Sequence, residues 1–190
     1  MMLTLILASQ TYDKPLVAPR HRRMLLSFLQ ILCASLFLGL CAQISIPLYF
    51  SPVPLTGQTF GVMLIGAMLG RKRGTLTLLM YLLEGALGLP VFAGGAFGLL
   101  KLIGPTGGYF MGMVAEVYLI GWFFETQRTF NSLRTFGKII ISSLIQLSLG
   151  VIWLIPFVGL QNVLMMGFFP FVLGEIFKAL ALTTFFKSRS

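Results

Sequence analysis

From about Met24 to Ile46 the chain runs for 23 residues without a charged side chain and stops at Pro47. A spanning helix needs about 17 to 25 predominantly apolar residues. This run meets that length, and it is not alone. The 190 residues are 57% hydrophobic and only 10% charged, whereas soluble domains carry about 25% charged residues. A soluble chain this short cannot hide so much apolar surface, but lipid can accept it.

Six apolar segments can be placed: about 24–46, 56–70, 75–89, 106–124, 138–155 and 170–186. Pro47, Pro90, Pro105 and Pro156 punctuate them. The second and third fall at or below the usual spanning length. Merging them into a hairpin that does not fully cross gives five or fewer spans. The basic residues favour six. Lys14, Arg20, Arg22 and Arg23 precede the first segment, and Arg71, Lys72 and Arg73 divide the second from the third. Arg128, Arg134 and Lys138 divide the fourth from the fifth, and Lys187 and Arg189 follow the sixth. These are 12 of the 14 basic residues. With six spans every cluster falls on one side, which the positive-inside rule makes cytoplasmic. The expected fold is therefore all-α and polytopic, with six transmembrane helices and both termini cytoplasmic. A cytoplasmic N-terminal arm covers 1–23 and the membrane domain 24–187. The N-terminal Met1–Ala8 stretch is short, lacks a basic lead and does not read as a secretory signal.

The other three connections, about 47–55, 89–104 and 156–169, are apolar, nearly uncharged and rich in Pro and Gly. Water-exposed loops are usually polar. These are expected to pack over the helix ends and close an outward-facing pocket.

A charge at the bilayer centre costs about 2.5 to 3.5 kcal/mol, so intramembrane ionisable groups usually face a cavity and find a partner. Glu84, Glu116, Glu175 and Lys178 fall in the segments, and Lys101 lies in the second outer connection. Glu175 and Lys178 are three apart and share a helical face. They offer a ligand an acceptor and a cation together, or they form a local ion pair. Glu116 has no local cation. Gly94, Gly95, Gly98, Gly107 and Gly108 permit close backbone approach, and Tyr109 adds an aromatic wall with a hydroxyl. Ser35 and Gly39 form a small-xxx-small pair, suited to internal packing or to a partner subunit.

Several classes are excluded. The net charge of +9 belongs to the orienting loops, so nucleic acid is not an expected partner. Cys33 and Cys41, eight residues apart on one helix, stand about 12 Å apart along its axis, too far for a disulfide. His21 is the only histidine, which leaves neither a zinc-type cluster nor a Ser/His/Asp arrangement. Gly70-Arg-Lys-Arg-Gly74-Thr75 has the wrong spacing for a phosphate loop. The chain reads as a binding and translocating module, not an enzyme, with no cofactor. Energy for active transport must then come from a partner or an ion gradient.

Ala42-Gln43-Ile-Ser-Ile-Pro47, Ser51-Pro-Val-Pro54 and Gln58-Thr59 resemble the first outer loop of the BioY biotin transporters. Tyr81-Leu82, Gly88-Leu-Pro-Val-Phe92-Ala-Gly94-Gly95 and Gly104-Pro-Thr-Gly107-Gly-Tyr109 resemble a second signature block. Pro170-Phe171, Gly174-Glu175 and Lys178 resemble a third. The resemblance spans roughly residues 24 to 187. It implies a six-helix substrate-binding subunit of an energy-coupling factor transporter in the inner (cytoplasmic) membrane. Its implied partners are biotin, lipid, a transmembrane coupling protein and ATPase subunits. The family usually has aspartate where this chain has Glu175. The implied biotin site comprises Gln43, Tyr81, Glu84, Phe92, Gly94, Gly95, Lys101, Gly107, Tyr109, Glu175 and Lys178. Glu175 accepts from the ureido N–H groups, Lys178 or Lys101 meets a carboxylate or carbonyl, and Phe92, Tyr81 and Tyr109 wall the ring.

Overall fold

A computed structural model describes residues 20–127, 129 and 131–188, without the side chains of Arg20 and Arg23. The N-terminal arm up to residue 19, with Lys14, lies outside the described residues, as do Arg128 and Arg189. The fold is mostly helical. In order come α1 (Arg20–Gln43), a two-residue ribbon of β1 (Ser45–Ile46) and β2 (Leu55–Thr56), and α2 (Gln58–Ala86). A 3-10 turn (Ala93–Gly95) and α3 (Leu99–Ile103) follow. The chain then forms α4 (Gly107–Thr126), α5 (Ser132–Val158), α6 (Val163–Gly167) and α7 (Phe169–Lys187). Among the described residues, four stretches are long and apolar enough to cross a membrane: Met24–Gln43, Gly107–Thr126, Ser132–Val158 and Val163–Lys187. Exposed Leu36, Leu40, Ile152, Leu173 and Phe177 suit a lipid-facing surface.

The second and third apolar segments meet without a loop. They are the two arms, 58–69 and 71–86, of α2, which folds back on itself at Gly70. The Gln58 amide donates to the Tyr81 hydroxyl at 2.6 Å, although 23 residues of straight helix would hold them about 34 Å apart. Gly70 makes the reversal with φ 74° and ψ 177°, a region almost closed to residues with a Cβ. The Glu125 carboxylate braces the turn. It accepts from the Arg71 backbone N–H at 2.9 Å and pairs with the Arg71 guanidinium at 3.1 Å.

Other boundaries also moved. Helix α5 starts at Ser132, six residues before the expected start, because the Asn131 side chain accepts from the Arg134 N–H at 3.0 Å and caps it. It continues through Pro156 to Val158. A proline removes one ladder bond, and Gly159, at φ 80°, ends the helix instead. The three outer connections carry short elements: the β1–β2 ribbon brackets the first, and α3 and α6 lie in the second and third.

Helix α4 is the central element within residues 31–188, packed against α2 on one side and α5 on the other. Its approach to α5 is backbone-close: a Cβ on Gly112 would stand 2.5 Å from the Gln146 carbonyl oxygen. Around it, Tyr81, Phe92, Phe110 and Val117 form one core cluster. Tyr109, Leu147, Leu154 and Phe171 form a second, and Met63, Ile120, Ile139 and Leu182 a third.

Candidate functional site

The three Pro/Gly-rich connections gather at one end of α4, the end that starts at Gly107. Ser51 donates its hydroxyl to the Met166 carbonyl at 2.7 Å. Tyr109 donates to the Gly167 carbonyl at 2.7 Å, and the Trp153 indole to the Gly104 carbonyl at 3.0 Å. Beneath them lies a pocket holding about 510 Å³ of empty space, its mouth included. Val53, Tyr109, Phe110, Met113, Leu147 and Phe171 supply its apolar walls. Gln58, Thr59, Lys101, Gln146, Glu175 and Lys178 supply its polar groups.

The polar centre is a triangle built by α2 and α7. The Thr59 hydroxyl donates to Glu175 Oε1 at 2.7 Å and accepts from the Lys178 ammonium at 2.6 Å. Lys178 also donates to the same Glu175 oxygen at 2.9 Å. The i, i+3 spacing on α7 brings the two charges together, and the first residues of α2 bring the hydroxyl. Only 5% of the Glu175 side chain is exposed, against 18% of Lys178. The second Glu175 oxygen, Oε2, is buried without a hydrogen-bond partner, and so is the Gln146 side-chain carbonyl. Buried polar atoms are rarely left so. The pocket thus holds idle acceptors next to a cation, inside apolar walls. That combination suits a small, largely apolar ligand with a few N–H donors.

Of the residues expected at the site, Lys101, Tyr109, Glu175 and Lys178 line this pocket. The others serve it from behind. Tyr81 and Phe92 are fully buried and stack edge-on at 5.5 Å, so neither walls the pocket. Tyr81 instead donates to the Val91 carbonyl at 2.9 Å and holds Gln58 in place. Phe92 supports Phe110 at a ring separation of 4.9 Å. Gln43 ties the second connection to α1: its amide donates to Phe92 O at 3.3 Å and accepts from the Gly95 N–H at 3.0 Å. Gly94 and Gly95 take positive φ in that turn, and only their neighbour Ala93 reaches the pocket. Gly107 is buried where a Cβ would collide with Leu102 and Trp153. Glu84 accepts from the Ser35 hydroxyl at 2.8 Å, outside the pocket lining. Ser35 is therefore enclosed, and Gly39 faces Val91. Of the two uses open to the Ser35 and Gly39 pair, internal packing is the one these contacts show. Glu116, left without an account by its sequence neighbours, accepts from Ser143 of α5 at 2.8 Å.

Sequence reasoning passed over Gln146 as a site residue. Its signal was there: it is the one amide in the fifth apolar segment. Among the described residues, no group of three or more His, Cys, Asp or Glu could hold a metal ion.

Comparison with known families matches residues 15–189 to the BioY family. The chain belongs to that family. A relative from Pyrococcus horikoshii, named a probable biotin transporter BioY, is 40% identical over 138 residues, covering 73% of this chain and 80% of the relative. The biotin transporter BioY of Thermotoga maritima is 39% identical over 153 residues, covering 78% and 88%. A solved crystal structure, described as the S-component for biotin from an ECF-type ABC transporter, superposes with a TM-score of 0.78. It is 26% identical and covers 88% of this chain and 92% of its own. The BioY signature residues quoted from the sequence fall into two groups here. Thr59, Tyr109, Glu175 and Lys178 meet in the pocket, and Gln43, Tyr81, Phe92 and Gly95 brace it.

Proposed function

We propose that this BioY chain is the biotin-binding membrane subunit of a vitamin uptake system, working with an energy-coupling transmembrane protein and its ATPases. The observation that carries the reading is the Thr59–Glu175–Lys178 triangle, set in apolar walls under the three outer connections. Biotin offers two ureido N–H donors, a ureido carbonyl, an apolar thioether ring and a carboxylate tail. The idle Glu175 oxygen accepts an N–H, Lys178 donates to the carbonyl, and Tyr109 and Phe171 hold the ring. Lys178 is already committed to Glu175 and Thr59. The Lys101 ammonium makes no ion pair or hydrogen bond with any described residue, and it meets the carboxylate.

We infer six crossings in the cytoplasmic membrane, with the α2 hairpin supplying the second and third. The hinge at Gly70 lies beside Arg71, Lys72 and Arg73, so that end is cytoplasmic and the pocket opens outward. The arm 1–23 and the C-terminus share the cytoplasmic side, and 24–187 form the membrane domain.

Labelled biotin binding to the purified protein in detergent tests the reading. Saturable binding that excess of other vitamins does not displace is expected. Equal displacement by an unrelated vitamin refutes the substrate. Uptake by cells with and without a coupling module tests the partner.

A further inference from the structure

Gln146 is a side chain the reading above leaves unemployed. It sits midway along α5, is 1% exposed and lines the pocket. Its carbonyl oxygen is buried with no partner, and its amide makes no side-chain hydrogen bond to any described residue. Its backbone is held tightly, because Gly112 lets α4 press against it. An amide oxygen so placed, with no partner in the protein, is left to be satisfied by what enters the pocket.

An amide presents one acceptor and one donor side by side. A cyclic urea presents the matching pair on each flank, an N–H beside the shared carbonyl. The Glu175–Lys178 pair has the same pattern in charged form, an acceptor next to a donor. Helix α7 thus supplies one such pair, and α5 supplies another.

We propose that Gln146 is a specificity residue that pairs with one flank of the ureido ring, its carbonyl accepting the ring N–H and its NH2 donating to the ring carbonyl, while Glu175 and Lys178 take the other flank. This rests on the biotin reading. It goes beyond it by assigning the two ureido nitrogens to different helices. Glu175 then serves one nitrogen, and Gln146 tells a ureido ring from rings that lack a second N–H.

The test crosses two variants with three ligands. Gln146→Met keeps the shape and removes both hydrogen-bonding groups. Gln146→Glu keeps the acceptor and loses the donor. The ligands are biotin and its two mono-N-methyl isomers, each blocking one ureido N–H. Calorimetry on the purified protein gives the dissociation constants. Gln146→Met is expected to weaken biotin roughly 10- to 100-fold, the equivalent of two neutral hydrogen bonds, and Gln146→Glu by less. For one N-methyl isomer, already unable to use Gln146, Gln146→Met should change affinity less than about 3-fold, since little is left to lose. For the other isomer the full loss should remain. Equal losses for biotin and both isomers would show a merely structural role and overturn the proposal. Should Gln146→Met fail to fold, the isosteric Gln146→Glu carries the same comparison. Wild-type protein that does not bind biotin refutes the functional reading itself. Wild-type binding with equal losses across ligands refutes only the role of Gln146.

Discussion

Replacing Lys178 with methionine tests how the buried Glu175 carboxylate is tolerated. The change removes the ammonium at 2.9 Å from Glu175 Oε1 and at 2.6 Å from the Thr59 hydroxyl. Thr59 remains the only described donor to a carboxylate whose side chain is 5% exposed. Breaking one side of a buried pair typically costs about 3 to 5 kcal/mol. Because the Lys178 side chain keeps 18% of its surface exposed, water screens part of the pair, and the loss is expected near 3 kcal/mol. The double variant Glu175→Gln with Lys178→Met removes both charges. It is expected within about 1 kcal/mol of the parent, because an ion pair exchanged for neutral groups is often nearly neutral. Denaturant-induced unfolding of the three proteins in one detergent reads the difference. Both variants should also lose biotin binding. If the single and double variants were equally stable, Lys178 would not be compensating Glu175, and the reasoning that joins the two would fail.

Three further outcomes are expected. Gly70→Ala forces a Cβ into a glycine-only conformation against the Glu125 carboxylate and should destabilise by about 2 kcal/mol or more; adding Glu125→Ala should recover only part, since the backbone strain stays. Ser143→Ala strips the fully buried Glu116 of its hydrogen bond and should cost about 1 to 3 kcal/mol in thermal or chemical unfolding, whereas Glu116→Gln alone should cost less. Lys101→Gln should weaken biotin about 10-fold, or about 1.4 kcal/mol, and leave the affinity of biotin methyl ester almost unchanged in the same titration.

The helices that cross lipid were legible because lipid imposes a length and a polarity that single segments carry on their own. The ionisable residues at depth were legible for the same reason, and Glu175 and Lys178 line one pocket together with Lys101 of the second connection. What was not legible depended on contacts between segments. Arg71 to Gly74 reads as a charged loop, yet Gly70 turns the chain so sharply that the arms need none. Pro156 reads as a stop, but a helix that has already built its ladder tolerates one missing donor. Tyr81 and Phe92 read as pocket walls because aromatic residues near a ligand motif often are. Here their rings face the core behind the wall, a choice made by Gly85, where the Phe92 ring occupies the space of a side chain. Ser35 and Gly39 left internal packing and a partner surface equally open, and only the position of Glu84 and Val91 decides.

The brevity of the first arm of α2 has a consequence for the membrane itself. Residues 58–69 rise only about 18 Å, against a hydrocarbon layer of about 30 Å. On the proposed topology, with the Gly70 end at the cytoplasmic face, the missing depth of roughly 12 Å would fall at the end where Gln58 and Thr59 open onto the pocket. On that topology the site is a shaft sunk into the bilayer, and a ligand resting on Thr59 would lie well below the outer face.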